Sequence, residues 1–131
     1  RVKNKRQHDV FIPKQAQEIV YRDDRIANKQ GLIFTTNGVS FLRSFDKPNK
    51  RLRATMNALA GTNLPHFTPH DLRRTCETGL AMLGTPQSII DRVINHVTGQ
   101  GMTRIYNMYD YRSEREAALQ KWADHVEALV A

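Results

Sequence analysis

Cysteine is nearly absent from this chain. Cys76 is the only one in 131 residues, so no intramolecular disulfide can brace the fold, and a disulfide scaffold is excluded. A lone thiol fits a reducing compartment such as the cytoplasm. Long hydrophobic runs are missing as well, since no stretch approaches the roughly 18 apolar residues of a membrane span. The N-terminus also lacks the charged, apolar and small-residue succession of an export signal. There is no internal repeat, low-complexity tract or Pro-rich linker, which argues for one domain rather than several. With 40% apolar and 25% charged residues, the composition is that of an ordinary globular domain, neither a disordered tail nor a fibrous rod.

Positive charge is abundant and unevenly placed. Twenty Lys+Arg against 13 Asp+Glu leave +7. Residues 1–60 hold 13 cationic and 5 acidic side chains, or +8, whereas residues 61–131 hold 7 and 8, or −1. The excess concentrates in Arg1, Lys3, Lys5 and Arg6, and again in Arg43, Lys47, Lys50, Arg51 and Arg53. A polyanion is the natural partner of such clusters, although charge alone also serves solubility.

Local signals set the order of elements. His8-Asp9-Val10-Phe11-Ile12-Pro13 reads as a short strand, and the cationic, turn-like Lys-Asn-Lys-Arg-Gln before it as a hairpin tip. Ala16, Ile19, Val20 and Ile26 recur near helical spacing, predicting a helix from Gln15 to about Ala27 with Gly31 as a stop. Leu32-Ile33-Phe34 reads as a short buried segment. A helix from Asn49 to about Ala60 ends at Gly61, with Arg51 and Arg53 facing outward. Thr68-Pro69-His70-Asp71 supplies a cap, a first-turn proline and an acid at the positive end of a helix running to about Leu83. Thr85-Pro86 repeats that start for a helix with Ile89, Ile90, Val93, Ile94 and Val97 on its apolar face, ending near Gly99. A short helix around Thr103 to Tyr109 follows. The last helix, Ser113 to Ala131, is striped by Ala118, Trp122, Val126 and Leu129, a stripe that serves its own core or a neighbouring subunit. The expected fold class is α+β, mainly α-helical with a small β-hairpin at the N-terminus.

His70 and Arg73, three apart on the Thr68-capped helix, project from one face near its positive end. A guanidinium offers a fixed fork of donors to two phosphate oxygens, and an imidazole donates or accepts a proton near neutral pH. The pair has the makings of a phosphate clamp, yet a helix-start histidine beside a surface arginine is common. His66 stands four residues before His70, as helical metal ligands do, but Pro69 puts the helix start between them and no third ligand follows. No metal site is expected. Cys76 suits a small buried residue, and Asp91 and Asp110 form no carboxylate pair for hydrolysis.

More residues join the pair. His70-Asp71-Leu72-Arg73-Arg74-Thr75 is followed by Asn95-His96 and then by Ile105-Tyr106-Asn107, all behind a basic hairpin. This order resembles the tyrosine recombinases, and in particular the C-terminal part of a phage-type integrase catalytic domain. The resemblance runs from Lys3 to the helix that contains Trp122. It implies the DNA breaking-rejoining fold, no cofactor, and double-stranded DNA attachment sites as partner. It further implies a homotetramer on DNA, DNA-bending accessory proteins, and a phage or bacterial setting in the cytoplasm. Tyr106 becomes the nucleophile that attacks a scissile phosphate and keeps the 3′ end as a phosphotyrosine. Arg73 clamps the nonbridging oxygens, His70 contacts the phosphate and transfers a proton, and His96 donates to the phosphate. Lys3, seven residues before Val10, is the acid for the departing 5′ hydroxyl. Lys5, Arg6, Arg51, Arg53 and Arg74 are the candidates for DNA-backbone contacts. Tyr109 is the runner-up nucleophile, with Tyr111 in the following turn.

The chemistry asks for these side chains on its own account. A phenol with an ordinary pKa of about 10 needs proton removal or cationic surroundings to attack at neutral pH. Fixed donors aimed at charge that grows in the transition state are worth roughly 3 to 4 kcal/mol each. The chain also departs from the family. Its first catalytic arginine normally precedes the hairpin lysine, so residues 1–131 read as an N-terminally truncated catalytic domain, inactive in isolation. Asn95 stands where glycine is commoner, and Phe11-Ile12-Pro13 replaces a Pro-Leu strand ending, which makes Lys5 the fallback for Lys3. Two rival readings remain at this stage. One is a DNA-binding module without turnover. The other is a type IB topoisomerase, which shares the tyrosine chemistry but relaxes supercoils without partner exchange.

Overall fold

A computed structural model of the chain describes residues 9–22, 25–96 and 109–131. Among them, five helices form: α1 Lys14–Val20, α2 Asp46–Ala60, α3 Pro69–Met82, α4 Gln87–Val93 and α5 Arg112–Val130. They fall into two compact units, one drawn from residues 1–19 and 73–131 and the other from 20–72. No helix among the described residues is long and apolar enough to cross a membrane.

The first unit holds the buried residues. Leu80 of α3, Ile89, Ile90 and Val93 of α4, Ile94 just after it, and Ala118 of α5 form one cluster, with Cys76, Tyr111, Leu119 and Trp122 packed against it. These are the apolar positions that the helical spacing singled out on α4, and half of the stripe on α5. The other half is uncovered, because Val126 is 38% and Leu129 70% exposed. Gly79 makes room for a side chain of α5 against α3. A side-chain carbon at that position would overlap ring atoms of Trp122, so only glycine lets the indole lie against the helix backbone. Polar contacts add a rim, with Gln15 Nε2 of α1 donating to Asp124 at 2.8 Å and to Glu127 at 2.9 Å on α5. The bonds from Gln15 and Gln120 hold the Asp124 carboxyl below its ordinary range.

Helix ends follow the chemistry of their caps. Thr68 and Asp71 cap α3 reciprocally: Thr68 N–H donates to Asp71 Oδ2 at 2.9 Å, and Asp71 N–H donates to Thr68 Oγ1 at 3.3 Å. At the far end, Thr85 N–H reaches the Leu80 carbonyl at 3.0 Å and Gly84 N–H the Ala81 carbonyl at 2.9 Å. With Gly84 at φ 79°, this is a Schellman cap. Helix α2 starts a turn before the expected Asn49, since Pro48 falls among the first residues, whose missing donor costs nothing. Helix α4 starts one residue late, with Pro86 rather than Thr85 as its cap.

Several expectations are corrected. The helix expected over 15–27 stops at Val20, and the aspartates that follow in sequence would oppose the negative end of a longer helix. In the second unit, no described residue is fully buried. Ile33 is 38% and Phe34 58% exposed, contrary to the buried segment expected there. A polar turn dominates that region instead. Asn28 brackets Leu32 by accepting from its N–H at 2.7 Å and donating to its carbonyl at 2.9 Å. Phe34 finds only an edge-to-face partner, Phe45, with ring centroids 5.8 Å apart. Val10 to Pro13 joins no strand ladder among the described residues, where Thr35↔Phe41 is an isolated bridge. The proposed hairpin tip, at residues 3–7, lies outside the described residues, as do Val97 and most of the short helix at 103–109, whose last residue, Tyr109, is not helical.

Candidate active site

In the first unit, Arg73 reaches the segment that bears His96. From α3, the Arg73 guanidinium donates to the main-chain carbonyl of Ile94, two residues before His96. A guanidinium carries five N–H donors, so this bond fixes the fork while leaving donors for an anion. His70 stands three residues before Arg73, in the first turn of α3, and is exposed. Burial pushes the Cys76 thiol up, one turn further along α3, against the opposing pull of the Arg73 cation. That is the environment of an inert packing residue rather than a nucleophile.

The His96 position depends on how α4 ends. The apolar repeat carries the sequence reading of this helix to about Gly99, but α4 stops at Val93. His96 N–H donates to the Asp91 carbonyl at 2.7 Å and Asn95 N–H to the Arg92 carbonyl at 3.3 Å, the bond pair of a second Schellman cap. Asn95 takes the left-handed position, at φ 53°. Glycine and asparagine are the residues that occupy this region at least cost, which accounts physically for asparagine in place of the commoner glycine. The turn presents the His96 side chain to solvent, 61% exposed, with Nδ1 3.6 Å from Asp91 Oδ1. Asn95→Gly is therefore expected to leave thermal stability nearly unchanged. Asn95→Val should cost about 1–2 kcal/mol, because a β-branched side chain resists the left-handed backbone. Differential scanning calorimetry of the two variants checks this.

Tyrosines line the chain beyond the site. Tyr111 takes a left-handed backbone at φ 55° just before α5 and packs against the core. The Arg92 guanidinium lies over its ring, 4.1 Å from the centroid. Tyr109 stacks edge-on against Tyr111 at 4.7 Å, and its hydroxyl donates to Glu114 Oε2 at 3.2 Å. A phosphodiester approaching Tyr109 would meet that carboxylate, so its surroundings suit packing better than attack on an anion. Tyr106, Lys3, Lys5 and Arg6 lie outside the described residues.

The basic residues of α2 divide by face. Arg51 and Lys50 are exposed and lie four and three residues after the exposed Lys47, flanking it along one side of the helix. Arg53, expected to face outward with Arg51, is half-buried, since two residues turn a helix by about 200°. Arg74 is exposed on α3. Asp91 is the residue that sequence reasoning missed. The sequence offers it only as half of an absent carboxylate pair, whereas it is a buried carboxylate, 6% exposed, facing the histidine five residues on. An aspartate among the apolar positions of a helix that precedes Asn-His was the available signal.

On this mainly helical scaffold, the Arg73 guanidinium is tied to the Ile94 carbonyl at the end of α4, two residues before the exposed imidazole of His96. Residues 1–112 match the model of the phage integrase family. The chain belongs to that family, and its helical fold fits a tyrosine recombinase core. No curated protein and no solved structure matches the chain.

Proposed function

We propose that the chain is the catalytic part of a site-specific DNA recombinase that cuts and rejoins strands through a 3′-phosphotyrosyl intermediate. In this reading the Tyr106 hydroxyl oxygen attacks the scissile phosphorus, forming a P–O bond as the bond to the 5′ oxygen breaks. The phenol proton leaves through His70, and the 5′ oxygen takes a proton from Lys3. Arg73 and His96 hold the nonbridging oxygens as negative charge grows on them. Because one phosphate ester replaces another, the reverse attack by a 5′ hydroxyl reseals DNA without nucleotide hydrolysis.

The observation that carries this reading is the Arg73 bond to the Ile94 carbonyl, which brings the guanidinium to the segment bearing His96. The cationic face of Lys47, Lys50 and Arg51 supports a backbone contact with DNA, and Arg74, Lys5 and Arg6 are assigned the same role. The exposed end of α5, with Leu129 70% and Val130 79% exposed, suits packing on a neighbouring subunit of a homotetramer. The test uses the protein containing this chain and a pool of nicked duplexes of randomised sequence. A covalent protein–DNA adduct that survives denaturation and is lost in Tyr106→Phe is expected. Absence of any adduct from the wild-type protein would contradict the proposal.

A further inference from the structure

A buried carboxylate needs a reason. Removing a charge from water is costly unless partners replace its hydration, and Asp91, 6% exposed within the apolar face of α4, is the one buried charged residue among those described. Its place is built around the turn that presents His96. The Asp91 main-chain carbonyl accepts from His96 N–H at 2.7 Å. Oδ1 lies 3.6 Å from His96 Nδ1, an ion-pair separation, and also accepts from Gln87 Nε2 at 3.0 Å, one turn back along α4. One residue therefore holds the histidine at its backbone and faces one nitrogen of its ring, while the amide of Gln87 steadies the carboxylate.

From this grip we infer that Asp91 is a positioning residue for His96. It fixes the tautomer and aims Nε2 outward, toward the phosphate that the proposed reaction places there. The inference rests on that reading for its consequence in catalysis, but not for its geometry. With Nδ1 facing the carboxylate, the nitrogen left for an anion is Nε2, on an imidazole that is 61% exposed. A ring free to rotate, or carrying its neutral-state proton on the other nitrogen, would offer the phosphate the wrong atom much of the time. Supporting groups behind a histidine tune it in the same way at other sites, and their loss costs on the order of 10- to 100-fold in function. Arg73, tied to the Ile94 carbonyl, is a second charged group brought to this turn.

Two measurements test the inference. Nitrogen-15 NMR of the wild-type protein should show neutral His96 protonated at Nδ1, and protonation at Nε2 would overturn the proposal even if every Asp91 variant failed to fold. First-turnover adduct formation on the nicked pool should slow on the order of tenfold in Asp91→Asn. The same change should have no further effect in a His96→Ala background, because a residue acting through His96 has nothing left to position. An equal loss in both backgrounds would mark Asp91 as merely structural and overturn the inference. If the wild-type protein forms no adduct, the recombinase reading fails, and the NMR tautomer alone still decides whether Asp91 orients His96.

Discussion

Replacing Arg73 by alanine is expected to slow DNA cleavage by roughly 100- to 1000-fold, the usual cost of removing one fixed donor from a developing oxyanion. The effect should fall on the rate of adduct formation and spare DNA affinity, because the cationic face of α2 remains to bind phosphates. Arg73→Lys is the sharper variant. It keeps the charge but loses the planar fork, and a point charge cannot both hold the Ile94 carbonyl and span two phosphate oxygens. Lysine should therefore restore only a small part of the rate. The lost bond to Ile94 should cost stability as well, about 1.5–3 kcal/mol for a hydrogen bond to a charged group. Melting curves recorded beside the rates separate this from catalysis. Cleavage by Arg73→Ala within about tenfold of wild type would remove Arg73 from the chemistry.

Gly79→Ala pits two rules of opposite sign against each other. In an exposed helix, alanine is better than glycine by about 1 kcal/mol. On α3, however, the added carbon meets three ring atoms of Trp122, and overpacking of this kind costs about 1–3 kcal/mol. The indole is half-buried and braced against the core cluster, so it has little room to withdraw. The steric term should win, and the variant should melt lower by about 3–5 °C per kcal/mol lost. In a Trp122→Leu background the same substitution should be far less harmful, because the two residues share one contact. A Gly79→Ala protein more stable than wild type would show that the Trp122 indole does not lie against Gly79 as described.

How far the fold could be read from the sequence depends on whether the signal was local. Thr68 and Asp71 announce the start of α3 because a cap is chemistry within four residues, and Gly61 marks the end of α2 for the same reason. Ile89, Ile90, Val93 and Ile94 were legible as a buried face because one helix needs one apolar stripe. The same periodicity misled at the end of α4, where apolar spacing continues through Val97 while the left-handed Asn95 ends the helix. Leu32-Ile33-Phe34 failed for a different reason: hydrophobicity states a preference for burial, and only a covering layer from elsewhere in the chain can grant it. The same non-local dependence hid Gly79, whose meaning lies in Trp122, 43 positions away.

The candidate site divides in the same way. His70, Arg73, His96 and Tyr106 read as a set because their order along the chain resembles that of the tyrosine recombinases; the family match supports the membership of the chain. Asp91 was not, since a single aspartate has no meaning until the helix end folds the histidine back over it. The bond from Arg73 to a main-chain carbonyl is likewise invisible in a string of side chains.

Covalent capture of a DNA strand by one particular phenol is the central step of the proposed reaction. Cleavage after arginine and lysine releases Ile105 to Arg112 as one peptide holding Tyr106, Tyr109 and Tyr111 together. Fragmenting that peptide from the trapped adduct by mass spectrometry places the nucleotide on a single residue. Tyr106 is the expected carrier; a nucleotide on Tyr109 or Tyr111, or a peptide recovered unmodified from the adduct, would contradict the proposed reaction.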